Sequence, residues 1–317
     1  MSIKELISSV ISEIDNIKKT PLDFTHTSNV PCINDRELTF ERGVTKGGEC
    51  IESCVLYVDI RDSVKLNEEK QTRTMAKIYS AFAKCVLMAA REEGGYVRNI
   101  VGDRVMIVFP EESCCTKALR CAITINHIST RINRQFNNLE FRCGIGIDYG
   151  RMNVIKVGLP RQGDEKDENR ALVWVGYPAN YASRLTDVAN KKFKDTYYDV
   201  TADFYHKNLL DDRKYLSLIS WKPTGWYRET KRFTDIEFAK QLCTINNTLI
   251  FHDFRNLINL EKKEESYQYP AILISDTVYK GFQKENSIKG INWKKQTRKI
   301  KDIDFDVWGC SNIWKLR

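Results

Sequence analysis

YVRNIVGDRVMIVFP, residues 96–110, consists of two short runs of apolar and β-branched residues on either side of Gly102-Asp103, a pair suited to a tight hairpin turn. Upstream, ESCVLYVDI at 52–60 has the composition of a strand. Between the two, residues 68–93 set Met75, Ile78, Tyr79, Phe82, Cys85, Val86 and Ala89 at the i, i+3, i+4, i+7 spacing of an amphipathic helix, which Gly94 and Gly95 stop. Downstream, Ser113 is a fair N-cap for a second helix, with Leu119, Ile123, Ile128, Ile132 and Phe136 on or near one face. FRCGIGIDYG at 141–150 supplies a fourth strand. Strand, helix, strand, strand, helix, strand is the ferredoxin-like split βαβ order of an α+β domain. The helices cover one face of such a sheet, and a second protomer is the natural candidate to bury the other.

The flanks are less regular. Ile3, Ile7, Val10, Ile14 and Ile17 make a short heptad seam, suited to a helix that docks on its own chain or across a dimer, and Thr20 and Pro21 end it. Residues 21–50 read as irregular, so 1–50 is expected to be an N-terminal helix and arm, and 51–317 a catalytic domain. Residues 191–268, polar and rich in Tyr, Lys and Asp, read as an insertion without assigned structure. PAILISDTVY at 270–279 and FDVWGCSNIWKL at 305–316 read as further strands.

Composition narrows the classes. Of the 317 residues, 42% are hydrophobic and 29% charged, ordinary for a globular chain with a sizeable core. No run approaches the ~18 apolar residues of a membrane span, and the charged N-terminus lacks a secretory h-region, so a cytoplasmic protein without membrane partners is expected. The 10 cysteines include no Cys-x-x-Cys pair and read as reduced core residues. The formal charge of +8 suits an enzyme for anionic nucleotides; the basic residues are scattered, and KKQTRKIK at 294–301 reads as a solvated face rather than a nucleic-acid site.

Two aspartates stand where chemistry can be done. Asp59 closes the first strand and Asp103 sits at the hairpin tip, and in a split βαβ sheet these are neighbours. Singly, each reads as a capping or turn residue. Together they suit two divalent cations, Mg²⁺ or Mn²⁺, that activate a hydroxyl and neutralise phosphate charge. In GYPANYASRL at 176–185, Asn180 and Arg184 share a helix face; the arginine can clamp a phosphoryl group and the asparagine can orient a ribose.

VLYVDIRDS, NIVGDRVMIVF, CGIGIDYG and VGYPANYASRL, in this order and spacing, resemble the class III adenylate/guanylate cyclase catalytic domain over about residues 50–190, and the resemblance resumes at AILISDTVYKGF. It implies a class III cyclase fold with a C-terminal insertion, a nucleoside triphosphate substrate, and metal ligation by Asp59, Asp103 and the Ile60 carbonyl. It implies that Asn180 and Arg184 form the transition-state pair and are supplied by the partner protomer, so that the active unit is a homodimer with shared sites.

The base-reading positions depart from the purine enzymes of that class. Asn99, in NIVGD, stands where they carry a lysine, and Val173, in VWVG, where they carry an acidic residue. Tyr57 and Trp174 add bulk nearby. With the VDIRDS form and the long insertion, the chain resembles the Pycsar-type pyrimidine cyclases of bacterial anti-phage defence, which make cyclic UMP or cyclic CMP. Asn99 could serve either base, since its amide both donates and accepts. A phosphate-binding lysine has no clear match, Lys280 and Lys315 being the candidates. The other readings are a purine cyclase and a non-catalytic pseudocyclase dimer; a diguanylate cyclase is excluded because the hairpin reads VGDR.

Overall fold

A computed structural model describes residues 2–40, 45–69, 71–136, 140–158, 170–206, 225–245, 248–285 and 290–315, in two units, Met1–Lys191 with Tyr269–Arg317 and Lys192–Gln268. The first unit runs α1 (Ile3–Lys19), β1 (Leu22–His26), β2 (Lys46–Ile60), α2 (Ser63–Glu69), α3 (Thr72–Glu92), β3 (Tyr96–Val101), β4 (Arg104–Val108), α4 (Cys114–Gln135), β5 (Cys143–Gly158), β6 (Arg170–Val175) and α5 (Tyr177–Val188). The second holds β7 (Lys192–His206), β8 (Gly225–Thr234), α6 (Asp235–Gln241), β9 (Leu242–Ile245), β10 (Thr248–Phe251) and β11 (Phe254–Gln268). The chain returns to the first with β12 (Ile272–Ser275), α7 (Asp276–Glu285), β13 (Lys294–Lys295) and β14 (Val307–Cys310).

The sheet of the first unit has the order β13-β14-β12-β5-β2-β4-β3, and its β5-β2-β4-β3 part, antiparallel throughout, is the split βαβ arrangement expected from the motif order. Side chains of a strand alternate between faces. Cys54, Leu56, Val58 and Ile60 therefore enter one core with Ile78, Phe82 and Val86 of α3 and Leu119 and Ile123 of α4. Ile51 and Val55 point the other way, into a second core with Met106, Val108, Met152, Ala179 and Ala182. Each large side chain buried this way contributes roughly 1.5–3 kcal/mol.

Several expectations need correction. The second sheet face is not left wholly to a partner: the chain's own α5 covers part of it, with Ala182 and Leu185 fully buried. Residues 21–50 are not all irregular, because β1 pairs parallel to β2, which begins at Lys46. Gly48 of β2 marks a close approach of the two strands, since a Cβ there would stand 2.6 Å from the Phe24 ring. The helix read at 68–93 begins at Thr72 as α3, and a separate short helix, α2, precedes it. The strand read at 270–279 stops at Ser275, whose hydroxyl accepts from Val278 N, and α7 follows with Val278 and Phe282 buried one turn apart. Of the strand read at 305–316, residue 316 lies outside the described residues and β14 takes up Val307–Cys310. The seam of α1 is exposed along its length, from Ile3 to Ile17.

The second unit is a three-stranded antiparallel sheet, β11-β7-β8, with a β9-β10 hairpin. Val200, Ala202, Phe204 and Phe254 form its core. Its other face carries ion pairs, including Arg232 and Lys263 on Asp199 at 3.1 and 2.9 Å. Among the described residues, no helix is long and apolar enough to cross a membrane.

Candidate active site

The site grows out of the strand alternation. Residues 55, 57, 59 and 61 of the chain share the sheet face on which α5 lies, opposite to Cys54, Leu56 and Val58. Val58 pairs with Val105, so Asp59 comes level with Arg104 at the start of β4, and Asp103 lies one residue beyond in the hairpin turn. The two aspartates are thereby brought to one end of two adjacent strands. Ile60 is the last residue of β2, opposite Cys143.

Asp59 is 16% exposed and engages two arginines through Oδ2, Arg104 at 3.0 Å and Arg61 at 3.5 Å. Arg104 also donates to Ser183 Oγ at 2.9 Å and pairs with Asp187, both on α5. Arg61 is nearly buried and donates to the carbonyls of Ala189, at 2.8 Å, and Thr186. It thus caps the C-terminal end of α5, where carbonyls lack partners within the helix. Burial lowers the Arg61 guanidinium below its ordinary value, and Asp59 opposes the shift. None of Arg61, Arg104, Ser183 or Asp187 was singled out from sequence. The only local signal was their position: Arg61 two residues after Asp59, and Arg104 directly after Asp103.

The seat of α5 explains CGIGIDYG. A methyl at Gly146 would collide with the Ala182 carbonyl and stand 2.5 Å from Thr186 N, and one at Gly144 would strike the Ala189 carbonyl. Only glycine lets the helix backbone lie this close to β5. On the outer side of α5, Asn180 and Arg184 are exposed. Arg184 donates to the Asp302 carbonyl at 2.8 Å and its guanidinium lies 5.9 Å from the Tyr181 ring. Among the described contacts it does not meet Asp59.

The base-reading candidates divide into two groups. Tyr57 pairs with Met106, and Met106 with Asn99, so the three lie in one cross-strand row on the face of Asp59. A bulge makes this row: pairing runs from Val97↔Ile107 straight to Asn99↔Met106, passing over Arg98. Asn99 is exposed, while Tyr57 packs against the second core and burial raises its phenol above the ordinary value. Val173 and Trp174 lie far away in the same chain. Trp174 pairs with Val154, and Val154 with Glu49, ten residues along β2 from Asp59. Ten residues of strand span roughly 33 Å. Val173 is 40% exposed, and Trp174 packs against the second core. Of the lysine candidates, Lys280 is paired to Asp276 at 2.5 Å and Lys315 is exposed.

The donors at the end of β2 and β4 are carboxylate and carbonyl oxygens, the hard set that suits Mg²⁺ or Mn²⁺ rather than a thiophilic ion. Arg104 and Arg61 hold the Asp59 carboxylate in place.

No family model matches the chain. It is 35% identical to a uridylate cyclase of Burkholderia cepacia over 179 residues, 54% of this chain and 72% of that protein. It is 30% identical to a uridylate cyclase of Xanthomonas perforans over 210 residues, 64% of this chain and 83% of that protein. Among solved structures, the adenylyl cyclase CyaB from P. aeruginosa aligns with a TM-score of 0.49 at 14% identity, covering 82% of this chain and 94% of that one. With most of the length of two such proteins matched at this identity, the chain belongs to the uridylate cyclase family of nucleotidyl cyclases.

Proposed function

We propose that the chain converts UTP, or CTP, to the cyclic monophosphate and pyrophosphate, as a homodimer with shared active sites, in anti-phage signalling. The observation that carries this reading is the convergence of Asp59 and Asp103 at one strand end in a chain akin to uridylate cyclases. Asp59, Asp103 and the Ile60 carbonyl would hold two divalent cations. When bound, such ions neutralise the triphosphate charge and favour ionisation of the ribose 3′-hydroxyl. The 3′-oxygen forms a bond to the α-phosphorus, the bond from that phosphorus to the bridging oxygen breaks, and the 3′ proton passes to solvent.

The side chains supply position and charge. Arg184 of one protomer steadies the charge that develops on the α-phosphoryl oxygens of the other's substrate, and Asn180 orients the ribose. Their exposure on α5, out of contact with Asp59 of the same chain, supports a site completed by a second copy. So does the distance of Val173 from Asp59 within one chain. Asn99, beside Met106 and Tyr57, meets the edge of a small base, and Val173 offers no polar group for a purine edge.

The test is competition among ATP, GTP, CTP and UTP at equal concentration with Mn²⁺, the products identified by mass spectrometry. Cyclic UMP or cyclic CMP should dominate. A dominant cyclic purine product overturns the base assignment, and the absence of any cyclic product overturns the cyclase reading.

A further inference from the structure

A second cluster of metal-binding chemistry lies across the sheet from Asp59. Cys54 projects from β2 into the first core, and Cys114 and Cys115 are the opening residues of α4. The three sulfurs lie within 4.8 Å of one another, and Cys54 Sγ is 3.7 Å from Cys115 Sγ. All three residues are nearly inaccessible, at 0%, 2% and 4% exposure. Cys121, Cys143 and Cys310 are buried as well but join no such group among the described residues.

We propose that Cys54, Cys114 and Cys115 form a three-thiolate site for a soft closed-shell metal ion of the Cu(I) or Zn(II) class, pinning β2 to the first turn of α4. Three observations carry it. Three sulfurs bound to one ion with metal–sulfur bonds of about 2.3 Å stand about 4 Å apart, so the cluster needs only small side-chain shifts to close on an ion. Among the described residues no carboxylate or imidazole joins the cluster, and an all-sulfur donor set selects soft ions. Cys114 and Cys115 also open a long helix, whose backbone field favours thiolates, the Glu285 carboxylate that accepts from Thr116 N meeting part of that field. On binding, three S–H protons leave to solvent and three sulfur–metal bonds form, with no change in oxidation state. Gly281 of α7 keeps room for the third ligand, since a Cβ there would stand 2.5 Å from Cys115 Sγ.

The experiment uses the reduced, metal-free full-length protein without nucleotide, under anaerobic conditions. Cd²⁺ is the probe, followed by competition with Zn²⁺ and with Cu(I). One equivalent of Cd²⁺ should give the ultraviolet thiolate-to-metal charge-transfer band and a cadmium NMR resonance in the sulfur-ligated range. Displacement by Zn²⁺ or by Cu(I) identifies the preferred ion. Cys54→Ser and Cys115→Ser should lose the band, and Cys121→Ser and Cys310→Ser should keep it. Because a serine in this core can unfold the chain, the NMR measurement on the unaltered protein stands as an independent readout. Absence of the band, its survival in folded Cys54→Ser, or a resonance in the oxygen-ligated range would each overturn the site. The last outcome would put the ion at Asp59 and Asp103, so failure here is separable from failure of the cyclase reading.

Discussion

Asp59 is held between Arg104 and Arg61, and this pairing sets the expected outcome of substituting it. Asp59→Ala or Asp103→Ala should reduce cyclic nucleotide formation below detection in a mass-spectrometric assay, while circular dichroism stays close to that of the parent. Wild-type turnover in either variant would remove that aspartate from the site. Arg104 tests the scaffold rather than the ligands. It joins Asp59, Ser183 and Asp187, so Arg104→Ala removes the polar tie between β4 and α5 and leaves Asp59 with Arg61 alone. Loss of charge-assisted bonds of this kind costs about 1.5–3 kcal/mol. Denaturant unfolding should show a loss in that range, and no measurable loss would mean that Arg104 does not brace α5.

Helix α5 has two working sides. Its inner side rests on β5 over Gly144 and Gly146, so Gly146→Ala would drive a methyl into the backbone of Ala182 and Thr186. Overpacking against backbone costs typically about 1–3 kcal/mol. The expected result is a fall in Tm with reduced turnover, because displacing α5 also displaces Arg184; an unchanged Tm would mean that the helix does not sit this closely. Its outer side bears Asn180 and Arg184. If that side serves the partner, mixing inactive Asp59→Ala with inactive Arg184→Ala should restore part of the activity, since some heterodimers carry one intact site. No recovery after verified subunit exchange would show that each chain completes its own site.

Stability of the folded chain as a whole should respond to pH through Glu49. This residue is 7% exposed, and its Oε2 has no hydrogen-bond partner among the described residues. Burial foremost, with Asp35 and Glu37 nearby, pushes its carboxyl up to about 7 from an ordinary 4.5. Between those values the folded chain keeps a proton that the unfolded chain has released, so Glu49 lowers stability progressively as pH rises through that window and by a constant amount above it. Glu49→Gln removes this contribution. The Tm advantage of the variant over the parent should therefore grow from about pH 4.5 to 7 and then level off. An advantage independent of pH would mean that Glu49 titrates normally in the fold.

Local chemistry accounts for what could be read along the chain. Strand and helix periods, the Gly102-Asp103 turn and the motif order point to the split βαβ sheet, and they set Asp59 at a strand end and Asp103 at a hairpin tip, because each depends on neighbours a few residues away. The bulge that brings Asn99 level with Tyr57 depends on how β3 registers against β4, a choice made by packing and invisible to periodicity. The arginine network joins residues far apart in the chain: Arg61 and Thr186 are separated by 125 positions, and Arg104 and Asp187 by 83. In the sheet of Lys192–Gln268, β11 is exposed at nearly every position and shows no apolar alternation, and its pairing with β7 joins residues far apart in the chain. The thiols of Cys54 and of the adjacent Cys114 and Cys115 lie in two segments, which look like ordinary core until β2 and α4 pack together. Short-range pattern specifies the elements, whereas convergence of side chains from distant segments follows from the energy of burying one face against another.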